Sequence, residues 1–147
     1  MELADKALKT IRFIVPGNPF GKQRHRVAMR GNYSSMYTPK ETIYYENLVK
    51  ISFQEAARGK RFDDEAMLDV RIIAYFGIPK STSKKKRGMM LNKKIRPTKK
   101  PDGDNIAKSI CDGLNKVAYH DDSSIVDMQV RKFYSEQPRV EVTINAI

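Results

Sequence analysis

A single cysteine, Cys111, excludes an intrachain disulfide and any zinc site built on clustered thiolates. The two histidines, His25 and His120, stand far apart, which argues against a histidine-rich metal centre. No stretch is long and apolar enough to cross a bilayer, and Met1 to Thr10 lack the apolar core of a secretory signal. A cytoplasmic location is the expectation. The most telling shortage is local. From Pro79 to Lys100 there is no Asp or Glu beside ten Lys and Arg.

The chain carries a formal net charge of +11 and is 40% hydrophobic and 31% charged. Its 147 residues suit one domain over 1–147 that buries roughly two-thirds of its unfolded surface. The excess of positive charge points to an acidic partner, nucleic acid first. An anionic membrane surface fits less well, because Lys84-Lys85-Lys86-Arg87 lacks the bulky apolar flank of an interfacial helix.

Alternating apolar residues predict four half-buried strands: Ile11, Phe13, Val15; Leu68 to Phe76; Val126, Met128, Val130; and Val140 to Ala146. Ser135 to Pro138 is short enough to join the last two as a hairpin. One helix is expected from about Lys40 to Arg58, with Tyr44, Leu48 and Ile51 on its apolar stripe. A second opens near Asp104, with Ile106, Ile110, Leu114 and Val117 on one face and Asp104 and Lys108 opposite. Ser81 to Asn92 suits a short basic helix, and Lys93 to Pro101 a mobile basic loop. The expected class is α+β, a single domain with a mixed or antiparallel sheet whose one face is covered by helices.

After the basic run the balance inverts. From Asp102 to Asp127 there are six Asp against two Lys. Carboxylates aimed at a polyanion repel it unless a divalent cation lies between them. Asp102 and Asp104, two residues apart at a helix entry, can point into one pocket, and Asp121-Asp122 can return a third carboxylate to it. Each has an ordinary alternative: a helix cap, an Asp104–Lys108 ion pair, a polar turn. A calcium EF-hand fails, because Ala107 stands where Gly is required and Gly113 where Glu is. Lys108 can hold an attacking water or stabilise phosphate charge. His120 reads as a structural turn residue, Asp112 and Asp127 as solvated or structural, and Cys111 as a core-edge residue.

Pro101-Asp102-Gly103-Asp104-Asn105, Lys108, Asp112-Gly113-Leu114 and His120-Asp121-Asp122-Ser123 resemble the RusA-type Holliday junction resolvases. The turn Pro16-Gly17-Asn18-Pro19 and the helix entry Tyr37-Thr38-Pro39 extend the resemblance over most of the chain. The chain departs from that pattern in its basic insert, residues 80–100, and in Gly103, where an aliphatic residue is frequent. The resemblance implies a metal-dependent endodeoxyribonuclease acting in DNA recombination and repair. It would use Mg2+, with Mn2+ as a substitute, and make paired symmetric nicks in a four-way junction as a homodimer. It assigns Asp102, Asp104 and Asp122 as metal-binding residues and Lys108 as the catalytic lysine.

The basic residues suit a grip on phosphates, which supplies affinity without sequence information. Lys84, Lys85, Lys86, Arg87, Lys93 and Lys94 are its expected members, with Lys22, Arg24 and Arg26 as a second track. Phe20, Tyr33 and Tyr37 could stack at an opened junction. Two other readings stay open on the residues alone: a nuclease for other branched DNA or RNA, and a non-catalytic DNA-binding accessory protein.

Overall fold

A computed structural model describes residues 7–22, 26–30, 33–37 and 39–147, and side chains throughout these except within 26–37. The elements run β1 (Thr10–Pro16), β2 (Arg26–Arg30), β3 (Tyr33–Tyr37), α1 (Lys40–Ala57), β4 (Leu68–Gly77), α2 (Lys84–Leu91), α3 (Gly103–Leu114), β5 (Ile125–Ser135) and β6 (Arg139–Ala146). Among the described residues these form one α+β domain. A four-stranded mixed sheet has the order β1-β6-β4-β5, and β2 pairs with β3 as a separate antiparallel ribbon.

Period-two alternation builds the sheet's covered face. Ile11, Phe13 and Val15 of β1, Val70, Ile72 and Ala74 of β4, and Val140, Val142 and Ile144 of β6 are all buried. Helices α1 and α3 lie on that face and pack against each other. Gly113 makes their close approach possible: a Cβ there would stand 2.8 Å from Val49 Cβ and 2.9 Å from the Glu46 carbonyl.

The expected hairpin between the last two strands does not form. β6 pairs antiparallel with β4, and β4 pairs parallel with β5, so β4 lies between them. β4 is the strand with the longest apolar alternation and gains most from two neighbours. The link across it spans two strand spacings, about 10 Å, which a few extended residues cover. The stripe expected on α1 is also displaced. Thr42, Tyr45, Val49, Phe53 and Ala57 are buried, whereas Tyr44 is 70% and Ile51 52% exposed. Apolar residues occur around this helix, and Phe53, edge-on against Phe13 with ring centroids 5.8 Å apart, belongs to the stripe that wins.

β5 begins with a bulge. Leu68 pairs with Ile125 but Asp69 with Asp127, leaving Val126 as the extra residue, 54% exposed. Ile125 thus keeps its contact with the core, and Val130 returns to the covered side. The segment after α2, expected to be mobile, is pinned to β5. Arg96 donates to the Lys132 carbonyl at 2.9 Å and lies 4.2 Å from the Phe133 ring centroid, and Lys93 stands 5.0 Å from the same centroid.

Replacing Gly113 by Ala should destabilise the protein by about 1–3 kcal/mol, since overpacking against Val49 and backbone has no flexible end to yield. Urea unfolding of Gly113→Ala checks this, and an unchanged midpoint would contradict the close approach.

Candidate active site

Helix α3 sets the site. Ile106, Ile110 and Leu114 are fully buried, each contributing about 1.5–3 kcal/mol of burial. With that stripe inward, Asp104 and Lys108 stay exposed on the other side. Ser109 fastens the helix laterally, its hydroxyl donating to the Phe20 carbonyl at 2.8 Å. At the far end Tyr119, wholly buried, donates to the Cys111 carbonyl at 3.2 Å.

Asp102 occupies the N-cap position in an extended conformation, yet its carboxylate makes no capping bond. The simple capping role is therefore not the one it performs. Asp121 does cap: its carboxylate accepts from the Ser123 N–H at 2.9 Å, opening the short 3-10 turn Asp122–Ser124. Hydrogen bonds from Ser123 hold the Asp121 carboxyl below its ordinary range, with Lys116 and His120 adding to the effect. Asp121 is thus engaged locally, and Asp122 is left to face a cleft.

That cleft, about 530 Å³, lies between α3 and β5. Asp104, Lys108 and Asp122 line it over an apolar floor of Ala107, Cys111, Met128 and Val130. Asp102 opens instead onto an adjoining cavity of about 660 Å³, with Phe20, Lys100 and Asn105. The expected single pocket for Asp102 and Asp104 is therefore two neighbouring hollows. Asp102 is still extended while Asp104 is already helical, so the turn of the helix carries the second carboxylate round toward β5. Gly103 between them meets only Val130, whose Cγ1 would lie 3.8 Å from an added Cβ, so the position has room for a side chain.

The i, i+4 ion pair that forms is Lys108–Asp112, at 3.8 Å, not Asp104–Lys108. Lys108 remains 61% exposed and able to reach a phosphate. Asp112 also binds Lys22 at 3.0 Å, and Lys22 binds Glu46 at 2.6 Å. Burial works against the Lys22 charge, but the hydrogen bonds that Lys22 donates to the Glu46 and Asp112 carboxylates prevail and hold its ammonium above the usual range. Lys22 is therefore engaged inside the fold, tying the β1–β2 connection to both helices. His120 is exposed and is not among the residues lining the cleft.

Of the other expected DNA contacts, Lys84, Lys85 and Lys86 are exposed on the first turn of α2, behind the Ser83 cap. Three cations at the positive end of a helix oppose its dipole, a placement that a bound anion would relieve. Arg87 is paired with Glu136 at 2.8 Å. Lys93 and Lys94 are exposed. Arg24 and the side chains of Arg26, Tyr33 and Tyr37 lie outside the described residues. Phe20 stacks on Tyr45 with centroids 5.2 Å apart, packed against the core.

Oxygen donors from carboxylates suit a hard divalent cation such as Mg2+, which usually takes one or two of them and completes its shell with water and phosphate. Among the described residues no group of three or more His, Cys, Asp and Glu is arranged to hold a metal by itself. Asp104 and Asp122 on one cleft match that smaller requirement. Sequence reasoning missed that Met128 and Val130 floor the cleft, because the alternation in β5 signals a strand but not its neighbour.

The family model described as endodeoxyribonuclease RusA matches residues 16–145. The uncharacterized protein YqaN of Bacillus subtilis (strain 168) is 37% identical over 139 residues, covering 93% of this chain and 96% of YqaN.

Burial pushes the Cys111 thiol up to about 11 although it sits at the cleft floor. Iodoacetamide at pH 8 should therefore alkylate it about 10–100-fold more slowly than an unperturbed cysteine thiol, and rapidly after unfolding. Mass spectrometry of timed samples measures both rates.

Proposed function

The chain belongs to the RusA family of endodeoxyribonucleases, which resolve Holliday junctions, and from that membership we propose which residues carry out the cleavage and with what metal. The observation that carries the reading is the cleft shared by Asp104, Lys108 and Asp122. Asp104 and Asp122 hold the divalent cation, Mg2+ or Mn2+, with Asp102 supporting it from the adjoining cavity. When bound, that cation neutralises the carboxylates and polarises a phosphate oxygen, giving a phosphodiester a place among acidic groups.

The chain's own groups do the rest. Lys108, one turn into α3, directs its ammonium at the phosphate, where negative charge grows as water attacks phosphorus and the ester oxygen departs. The amino end of α3 adds its positive dipole to the same region. Met128, Val130 and Ala107 give the cleft an apolar side beside the charged groups. Lys84, Lys85, Lys86, Lys93 and Lys94 grip backbone phosphates of the junction arms, Arg87 joins them by exchanging its solvent-accessible Glu136 partner for a phosphate, and Lys22, largely buried between Glu46 and Asp112, is left out.

Paired symmetric nicks follow if two copies act as a homodimer, because a two-fold symmetric junction then meets two equivalent clefts. β5 is the outer strand of the sheet among the described residues, and its first half, with Val126 and Met128 exposed, supports this as a surface for pairing.

A labelled four-way junction beside a linear duplex of the same sequence, with and without Mg2+, tests the reading. Asp104→Asn should lose cleavage by about 10²–10³-fold or more, while junction binding is kept or tightened because negative charge near phosphate is removed. Cleavage by Asp104→Asn at the unaltered rate would overturn the assignment. Neutralising Lys84, Lys85 and Lys86 together should weaken binding to every DNA shape and lower the salt slope by about 0.9 for each phosphate no longer neutralised. Fluorescence anisotropy across a salt series measures it, and an unchanged slope would remove α2 from the grip.

A further inference from the structure

The approach to the active site is held by a residue outside it. Lys132, in β5, turns its side chain to the helix-covered side and donates to two carbonyls of the incoming chain, Lys99 at 2.8 Å and Pro101 at 3.0 Å. Its ammonium also stands 5.0 Å from the Phe76 ring centroid. The Pro101 carbonyl belongs to the peptide whose nitrogen is that of Asp102, so its direction bears on where Asp102 and the first turn of α3 lie. Gly21 packs closely on the same segment, where an added Cβ would come within 2.7 Å of Pro101 Cβ. The entry to α3 is thus held by a close backbone approach and by the Lys132 ammonium.

We propose that Lys132 is a positioning residue, fixing the Lys99–Pro101 segment so that Asp102 and Asp104 are presented in register for the divalent cation. This rests on the assignment of those carboxylates to the metal. The ammonium satisfies two carbonyls ahead of the helix, and without it they turn to water while the entry segment loosens. Residues that orient metal ligands at one remove change metal affinity or activity by about 10–100-fold when removed.

The direction of the effect separates this role from two others. Deleting a positive charge near a cation site should, by Coulomb's law alone, tighten cation binding. Loss of mere packing should lower thermal stability and leave cation binding as it was. Positioning predicts weaker binding despite the lost repulsion.

The test is a titration of the DNA-free protein with Mg2+, followed by the amide NMR signals of residues 102–105 and 122–124, in unaltered protein, Lys132→Met, Lys132→Arg and Asp104→Asn. Lys132→Met keeps the apolar stem against Phe76, and the amide signals of β4 and β6 report whether the sheet is intact. Half-saturation in Lys132→Met should require about 10-fold more Mg2+ or higher, with Lys132→Arg recovering a large part of the difference. If Lys132→Met does not fold, Lys132→Gln, which retains one donor, takes its place with a smaller rise expected. Equal or tighter Mg2+ binding in the folded variant, while Asp104→Asn abolishes the titration, overturns the positioning role and leaves the metal assignment standing. Titrations alike in Asp104→Asn and unaltered protein overturn both.

Discussion

The site depends on how α3 is buried. Ile106, Ile110 and Leu114 must leave water together, and their burial against the sheet fixes the rotation of the helix about its axis. Asp104 and Lys108 are then committed to the outward side, over β5. Rotation by one residue would carry a carboxylate toward the core and an isoleucine toward the cleft, at a cost far beyond what a solvent-exposed ion pair could return. The helix end is secured as firmly. Gly113 admits α1 to van der Waals contact, Ser109 ties the helix to the Phe20 carbonyl, and Lys22 bridges Glu46 of α1 to Asp112 of α3.

Around that helix, charge is sorted by what it faces. Three cations with protein partners organise the chain around the site: Lys22 between two carboxylates, Lys132 on two carbonyls, Arg96 on a carbonyl and an aromatic face. The lysines opening α2 are exposed at the positive end of a helix, a placement that adds nothing to the fold and suits a phosphate backbone. The acidic cleft follows directly along the chain, so the exposed lysines and the carboxylates are joined through the segment that Lys132 holds.

Much of this was legible without coordinates. Alternation located all four strands of the main sheet, a 3.6-residue period oriented α3, and the residues alone pointed to Asp102, Asp104, Lys108 and the pair Asp121-Asp122, of which the resemblance to RusA-type resolvases picked Asp122. Local pattern did not show which strands are neighbours. A short link favours a hairpin between β5 and β6, but β4 intervenes because its apolar alternation is satisfied only with a neighbour on each side. Nor did it show which of two apolar stripes α1 would bury, since Tyr44 and Ile51 have nearly the same claim as Tyr45 and Phe53 until Phe13 is in place.

The class of fold and the helix that bears the carboxylates could be read directly from the chain, because both rest on periodicity and residue type over short distances. Packing between remote segments was needed to show that Asp102 and Asp104 open onto adjoining cavities, that Lys22 is an internal bridge, and that Lys132 holds the Lys99 and Pro101 carbonyls. Each of these depends on atoms brought together from segments remote in the chain. Strand order and helix docking, not local sequence, determine which of them meet.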